Sequence, residues 1–462
     1  MRHTASFSSS TLTLSSPAHA VAEKAVVPDT ANTSAADASE ETITPLSIQE
    51  EKEHEDEITY PDGGFQSWTV VFGSWCAMFG AFGIWNSEGS FQAYLTENQL
   101  SQYNESTVSW IFSVFSFLFF FCGVQVGPLF DRYGVTVLAA VGSVGFIVSL
   151  MMFSLSTEYY QYFLSFGILG GISCSFIFTP AISCISHWFL HRRGFAIGIA
   201  ATGGGFGGVV IPLAVRALIP KVGFAWTIRI VGFIVLLTSI FAVICMKSRL
   251  TKTSGSAQID LRAFRDKRFA MFACANFMVE WSLQIPQTYF TSYALAKGID
   301  ETLSYQLIAI MNGASILGRL VPGYAADKIG RFNMLIMTIA LSGLLTLGVW
   351  LPAAATSGHN TGAAVAYFAL FGFASGSGIS LAPVCLTQIC DIREYGTRYG
   401  TCFSFASLGT LTGMPIAGQL VKRMGGRYEG LIAFSGGCYM VATAFYIISR
   451  GFSSGWKLKT VF

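Results

Sequence analysis

Apolar runs of about 20 residues, long enough to cross a bilayer as helices, alternate with short polar gaps along most of the chain. Twelve can be read, at roughly 68–94, 108–129, 135–155, 160–186, 194–216, 224–246, 269–295, 304–324, 332–351, 362–389, 398–420 and 431–450. Lipid offers backbone amides no partner, so each run is expected to be a helix and the fold class an all-α membrane protein. The long exception among the gaps, Lys247 to Arg268, holds Lys247, Arg249, Lys252, Arg262, Arg265, Lys267 and Arg268, and it divides the runs six and six. The expected organisation is a tail over 1–60, a six-helix bundle over 61–246, a basic linker over 247–268, a second bundle over 269–451 and a short tail over 452–462.

The two bundles carry a shared mark. Gly127-Pro-Leu-Phe-Asp131-Arg132-Tyr-Gly134 recurs as Gly323-Tyr-Ala-Ala-Asp327-Lys328-Ile-Gly330, 196 residues later, each time between two spans. An ordinary turn also uses Gly and Asp, but duplication at corresponding places predicts a pseudo-symmetric pair of bundles. Gly127, Asp131, Arg132, Gly323, Asp327 and Lys328 are therefore candidate gating residues, whose bonds would hold one end shut and stabilise the outward-facing state.

Composition agrees. The chain is 52% hydrophobic and only 12% charged, against about a quarter charged in soluble domains. A net charge of +2 gives no reason to expect a nucleic-acid partner. Most of the 28 lysines and arginines fall in the tails and in alternate loops on one side, which predicts that both termini are cytoplasmic. The loop holding Lys422, Arg423 and Arg427 runs against that rule. The polar first 60 residues, ending in an acidic run at Glu50 to Glu57, cannot bury a core and hold no signal-peptide pattern. Asn32 and Asn104 match the glycosylation acceptor pattern, and of the two only Asn104 is expected outside. Ten cysteines, almost all within spans and with no Cys-x-x-Cys spacing, read as small apolar residues. His187 and His191 are four apart, the spacing of a metal pair, but with so few other histidines a cytosolic interface is the expected role.

Ionisable residues inside spans carry the functional signal, because a charge at mid-bilayer costs about 2.5–3.5 kcal/mol even on the lenient insertion scale. In span seven, Asn276, Glu280, Gln284 and Thr288 recur every four residues, a polar stripe expected to line water. In span eight, Asn312, Ser315 and Arg319 share a face. Arg319 keeps its charge, so it is expected to meet Glu280 in a structural ion pair, or an anionic substrate while Glu280 takes up a proton. In span one, Asn86 and Glu88 point apart on an unbroken helix, so one can face a cavity, and Glu88 is expected at the interface. The candidate substrate-binding set is Arg319, Glu280, Gln284, Asn276, Asn312, Ser315 and Asn86. Gly203-Gly-Gly-Phe-Gly-Gly208 lacks the ending of a phosphate loop and spaces small residues four apart for close helix approach. Gly171 with Pro180, and Gly376 with Pro383, are expected flexible points in spans four and ten. Nothing calls for a cofactor, a metal or an enzyme's nucleophile.

The hinge pair, twelve spans and basic linker resemble the major facilitator superfamily. Within it, Pro61-Asp62-Gly63-Gly64-Phe65-Gln66-Ser67-Trp68 resembles the opening motif of the monocarboxylate transporter family, and Trp188-Phe189-Leu190-His191-Arg192-Arg193-Gly194 through Gly198 resembles its second motif. The resemblance covers about residues 60–450. It implies two halves rocking about a central site, often moving a proton with a carboxylate, in a monomer of the plasma membrane. Arg319 matches the family's functional arginine. Ser315 stands where an aspartate is usual, and Asn86 where animal members carry lysine, so the familiar proton relay is not implied. The closer likeness is to the fungal branch, with vitamin transporters and carriers associated with secondary-metabolite pathways. The resulting expectation is a secondary active transporter of a small organic anion, with export of a larger metabolite as the alternative and a non-transporting sensor behind both.

Overall fold

The computed structural model describes residues 60–249, 261–356 and 361–455. Asn32, the acidic run, much of the linker and the last residues of the C-terminal tail lie outside the described residues. Residues 58–462 belong to one unit, built among the described residues from twelve helical rods and no strand.

The first rod, α1, is broken: Gly64–Trp85 is followed by Glu88–Glu97. The second, α2, comprises Glu105–Phe121 and Gly123–Tyr133. Then come α3 (Val135–Leu155) and α4 (Tyr159–Ile185, with a widened turn at Phe163–Gly170). Arg193–Cys245 runs 53 residues, but Gly223 is non-helical within it (φ 78°), so it is two rods, α5 (193–222) and α6 (224–245). After the linker stand α7 (Lys267–Ala296), α8 (Glu301–Ile329), α9 (Arg331–Ala355), α10 (Thr361–Leu386), α11 (Tyr395–Arg423) and α12 (Glu429–Ser454). Among the described residues nine stretches, one of them holding both α5 and α6, are long and apolar enough to cross a membrane by length and composition. Rods α7 and α11 are not among them, because they carry Asn276, Glu280 and Gln284, and Thr401, Ser404, Ser407 and Thr410, on buried faces.

Both copies of the repeated motif make the same turn. Each ends in a glycine with positive φ, Gly134 at 79° and Gly330 at 109°, a conformation other residues adopt at a cost. Asp266 and Asp300 cap α7 and α8, accepting from the amides of Arg268 (2.9 Å) and Leu303 (3.2 Å).

Rods from before and after the linker meet along two seams, α2 on α11 and α5 on α8. In the first, Gly127 lies against Gly396 and Gly123 against Gly400, backbone on backbone. In the second, a Cβ on Gly194 would stand 2.8 Å from the Gly323 carbonyl oxygen, and one on Gly323 equally close to that of Gly194. The seams are the same construction with the roles of the halves exchanged. Glycines 203 and 207 bring α5 onto Trp75 and Phe79 of α1, as their spacing predicts.

Two expectations are corrected. Residues 186–192 form turns rather than a helix, so His187 and His191 share no face: His187 is buried against Phe130, and His191 is exposed. Glu88 opens a new helix after the break and stays partly exposed, but its carboxylate turns inward to accept from Ser116 of α2. Gly171, directly after the widened turn of α4, and Gly376 of α10 make matching contacts, a Cβ on each standing 2.7 Å from the carbonyl oxygens of Phe115 and Ser315.

Candidate substrate cavity and gate

Between the two sets of rods lies a narrow cavity, lined by residues of α1, α2, α4, α7, α9, α10, α11 and α12. Its wall is aromatic: Phe82 and Trp85 of α1, Phe120 of α2 and Phe178 of α4 face Phe403 of α11 and Tyr439 and Tyr446 of α12. The first four interlock edge to face, with Phe82 5.0 Å from Phe178 and 5.4 Å from Trp85, an arrangement favoured by ring quadrupoles. The polar lining comes from α7 and α10, in Asn276, Glu280 and Ser375. Asn276 is tied to the Phe272 carbonyl (2.9 Å), whereas Glu280 Oε2 and the Tyr439 hydroxyl have no hydrogen-bond partner. Among the described residues Glu280 is the one charged group lining the cavity, and no lysine or arginine lines it.

The α7 stripe thus only partly reaches the cavity. Asn276 and Glu280 line it, while Gln284, one turn on, is buried outside it with its amide nitrogen unpartnered. The expected Glu280–Arg319 ion pair is not formed. Arg319, 3% exposed, points to the other seam and donates Nη1 to the Ala201 carbonyl of α5, leaving Nε unpaired. The physical reason is the glycines of α5: a Cβ on Gly204 would stand 2.9 Å from Arg319 Nη1 and one on Gly208 2.7 Å from Asn86 Nδ2, so their absence lets polar groups reach the α5 carbonyls. Asn312 donates to the Gly208 carbonyl (3.2 Å) and Asn86 to that of Gly204 (3.4 Å). Ser315 is turned back on the Asn312 carbonyl (2.8 Å). Asn86, Asn312 and Arg319 are brought together, then, but on one face of α5 and not on the cavity wall.

The repeated aspartates cross the seams. Asp131 accepts from the amides of Gly396 (3.1 Å) and Thr397 (2.8 Å) and from the Thr397 hydroxyl (2.7 Å), at the start of α11. Asp327 accepts from the amides of Gly194 (3.0 Å) and Phe195 (2.9 Å), at the start of α5. Each carboxylate meets unpaired N–H groups at the positive end of a helix. Arg132 and Lys328 do not join their aspartates; they rest on the rings of Tyr133 (5.2 Å) and Tyr324 (4.4 Å). Arg331 instead pairs with Asp327 (3.3 Å) and donates to the Leu190 carbonyl.

The two motifs read separately in the sequence also meet at this end. Asp62 (φ 48°) accepts from the amides of Leu190 (2.7 Å) and His191 (2.8 Å) and bonds the His191 ring (2.8 Å), while its own amide donates to the Trp188 carbonyl. Burial pushes the Asp62 carboxyl up, but the bonds from His191, Leu190 and Arg192 outweigh it and hold it below the ordinary value. Arg193 donates to the Phe189 and Ser186 carbonyls and to Thr387 before α11, and lies over the Tyr60 ring. Beside it, His187 is pushed down to about 4 by burial and then by the Arg193 charge. At the far end, Asn104 is exposed at the start of α2. No cluster suited to a metal occurs among the described residues.

Comparison with known proteins gives a consistent result. The Major Facilitator Superfamily pattern matches residues 70–400. The fujikurins efflux protein of Gibberella fujikuroi is 36% identical over 393 residues, covering 84% of this chain and 83% of the relative. A riboflavin transporter of Saccharomyces cerevisiae is 35% identical over 436 residues, covering 89% and 83%. Among solved structures, the E. coli fucose:proton symporter superposes with a TM-score of 0.64 at 15% identity, over 83% of this chain and 99% of that one, a likeness of fold alone.

Proposed function

The chain belongs to the major facilitator superfamily and is a membrane transporter, and on that premise we propose that it exports a ring-bearing secondary metabolite, in exchange for protons taken up at Glu280. The observation that carries this reading is the cavity wall, seven aromatic rings with one acid and no cation. Such a wall gains most from a flat, conjugated molecule, since aromatic pairs contribute about 0.5–1.5 kcal/mol beyond area burial. An N–H or O–H on that molecule would find Glu280 and the Tyr439 hydroxyl. A carboxylate would instead face the unscreened acid. The relatives named for fujikurin efflux and for riboflavin support the same class of cargo.

With the hinge loops assigned to the cytosol, the closure of that end by Asp131 and Asp327 supports reading the conformation as outward-facing. Release outward would follow protonation of Glu280, which removes the acceptor that held the substrate. Return of the proton to the cytosol would reset the site. The contact between the Asp62 and Arg193 motifs supports placing the chain in a fungal branch close to the monocarboxylate transporters, in the plasma membrane, with Asn104 available outside for glycosylation.

A small organic anion is the second reading, and it rests on Arg319. Its Nε is buried without a partner, so a carboxylate could displace the Ala201 carbonyl if the α5–α8 seam opened. Comparing metabolites in medium and cells, with and without the protein, separates the two. Retention of a conjugated, ring-bearing compound in cells lacking it is expected, and Glu280→Gln should abolish the pH dependence of its export. Movement of small carboxylates alone, lost on Arg319→Gln and kept on Glu280→Gln, would refute the first reading.

A further inference from the structure

A second carboxyl stands one step behind the cavity wall. Trp85, the last residue of the first α1 helix, lines the cavity. Its indole N–H donates to Ser116 Oγ of α2 (2.9 Å), and the Ser116 hydroxyl donates to both oxygens of Glu88 (3.0 Å each), which opens the second α1 helix. The direction of this chain is fixed by chemistry. Indole can only donate, serine has a single proton, and that proton is committed to Glu88 because the serine oxygen is already accepting. The relay therefore ends on the one member that can change charge. The break in α1 places it there: Ser87 donates its amide to the Ile84 carbonyl (2.9 Å) and its hydroxyl to that of Gly83 (2.7 Å), ending one helix so that Glu88 begins the next.

From α2 the group facing Glu88 is Ser116, and from α4 it is the Cys174 thiol. On its own helix the other acid, Glu97, is exposed, and no lysine, arginine or histidine forms an ion pair with Glu88 among the described residues. Glu88 is itself partly exposed beside exposed Gly89 and Ser90, so protons can reach it from the end opposite the hinges.

We propose that Glu88 is a proton-responsive positioning residue, which through Ser116 holds the Trp85 indole on the cavity wall and loosens it on taking up a proton. An ionised acceptor makes a bond roughly twice as strong as a neutral one, and a hydroxyl that donates to an anion accepts more strongly in turn. Ionised Glu88 thus tightens both links, and protonated Glu88 weakens both. Combined with the aromatic-cavity reading, on which its functional meaning rests, this gives the outer side its own control over substrate grip, separate from Glu280.

The test needs no substrate, so its outcome is independent of what the cavity carries. Full-length protein is placed in nanodiscs, and Trp85 emission is taken as the difference between the parent and Trp85→Phe, with acrylamide as quencher. On acidification the Trp85 contribution should shift and its quenching constant rise about twofold or more, as one strengthened hydrogen bond is lost. The same difference measured in Glu88→Gln, and in Ser116→Ala should the first variant fail to fold, should not respond to pH. A parent signal independent of pH, or a titration that survives unchanged in either variant, would overturn the proposal.

Discussion

Asp131→Asn is expected to unlatch one end of the transporter. The carboxylate receives three hydrogen bonds from Gly396 and Thr397, two of them from backbone amides. Bonds to a charged group contribute about 1.5–3 kcal/mol each, without strict additivity. An asparagine with its one acceptor oxygen at the Oδ2 position keeps both Thr397 bonds and turns its N–H₂ toward the Gly396 amide, so at least one bond is lost and a donor faces a donor, along with a favourable charge at a helix start worth about 0.3–2 kcal/mol. After relaxation and solvation of the seam, a net shift of about 3 kcal/mol is a reasonable scale, which moves the closed-to-open ratio on the order of a hundredfold. The two amides themselves report it. Hydrogen exchange in a peptide spanning 394–400 should accelerate by that factor, while the middle of α11 keeps its protection. If the gate opens as a unit, amides 194 and 195 should accelerate too, although Asp327 is untouched. Unchanged exchange at 396 and 397, or equal loss along the whole of α11, would refute the latch.

Other outcomes are expected. His187, 6% exposed, is held to about 4 while the gate is shut and would titrate near its ordinary 6.5 once solvated. The closed gate is therefore fully stable above pH 6.5 and loses stability as pH falls toward 4, by about tenfold in population at pH 5.5; exchange at 396–397 should show this in the parent and not in His187→Asn. Gly127→Ala would drive a methyl into the Gly396 backbone, at a cost of about 1–3 kcal/mol, and should enrich the open state in spin-label distances across the hinge end. Arg319→Met should melt within a few degrees of the parent, because a well-packed apolar replacement of a buried charge is often neutral or better, so any transport defect would be functional. A large drop in melting temperature would make Arg319 a structural element instead.

The rods were legible because lipid forces apolar length and helical bonding on every span, and the hinges because they occur twice. Even α7 and α11, diluted by polar residues, sat where the alternation required them. The cavity wall was not legible. In a chain with 40 phenylalanines and 17 tyrosines, Phe82 or Tyr446 looks like any lipid-facing or core ring until neighbouring helices bring seven together. The polar stripe on α7 did single out Asn276 and Glu280, since a lone acid in a span has few other uses. Arg319 was visible as a buried cation, but its partner was a backbone carbonyl, which has no signature beyond the glycines that uncover it. Glu88 was misplaced because the break after Trp85 depends on local Ser87 bonds that periodicity does not register.

The exchanged roles of Asp131 and Asp327 bear on leakage. Each half lends a carboxylate to the other and receives one, so two fasteners work in parallel at the hinge end. When one is weakened, the other still restrains the halves, so full opening requires both to give way. Single lesions in either copy should then produce slow proton slippage and a growth cost under acid stress, whereas losing both should produce an open conduit.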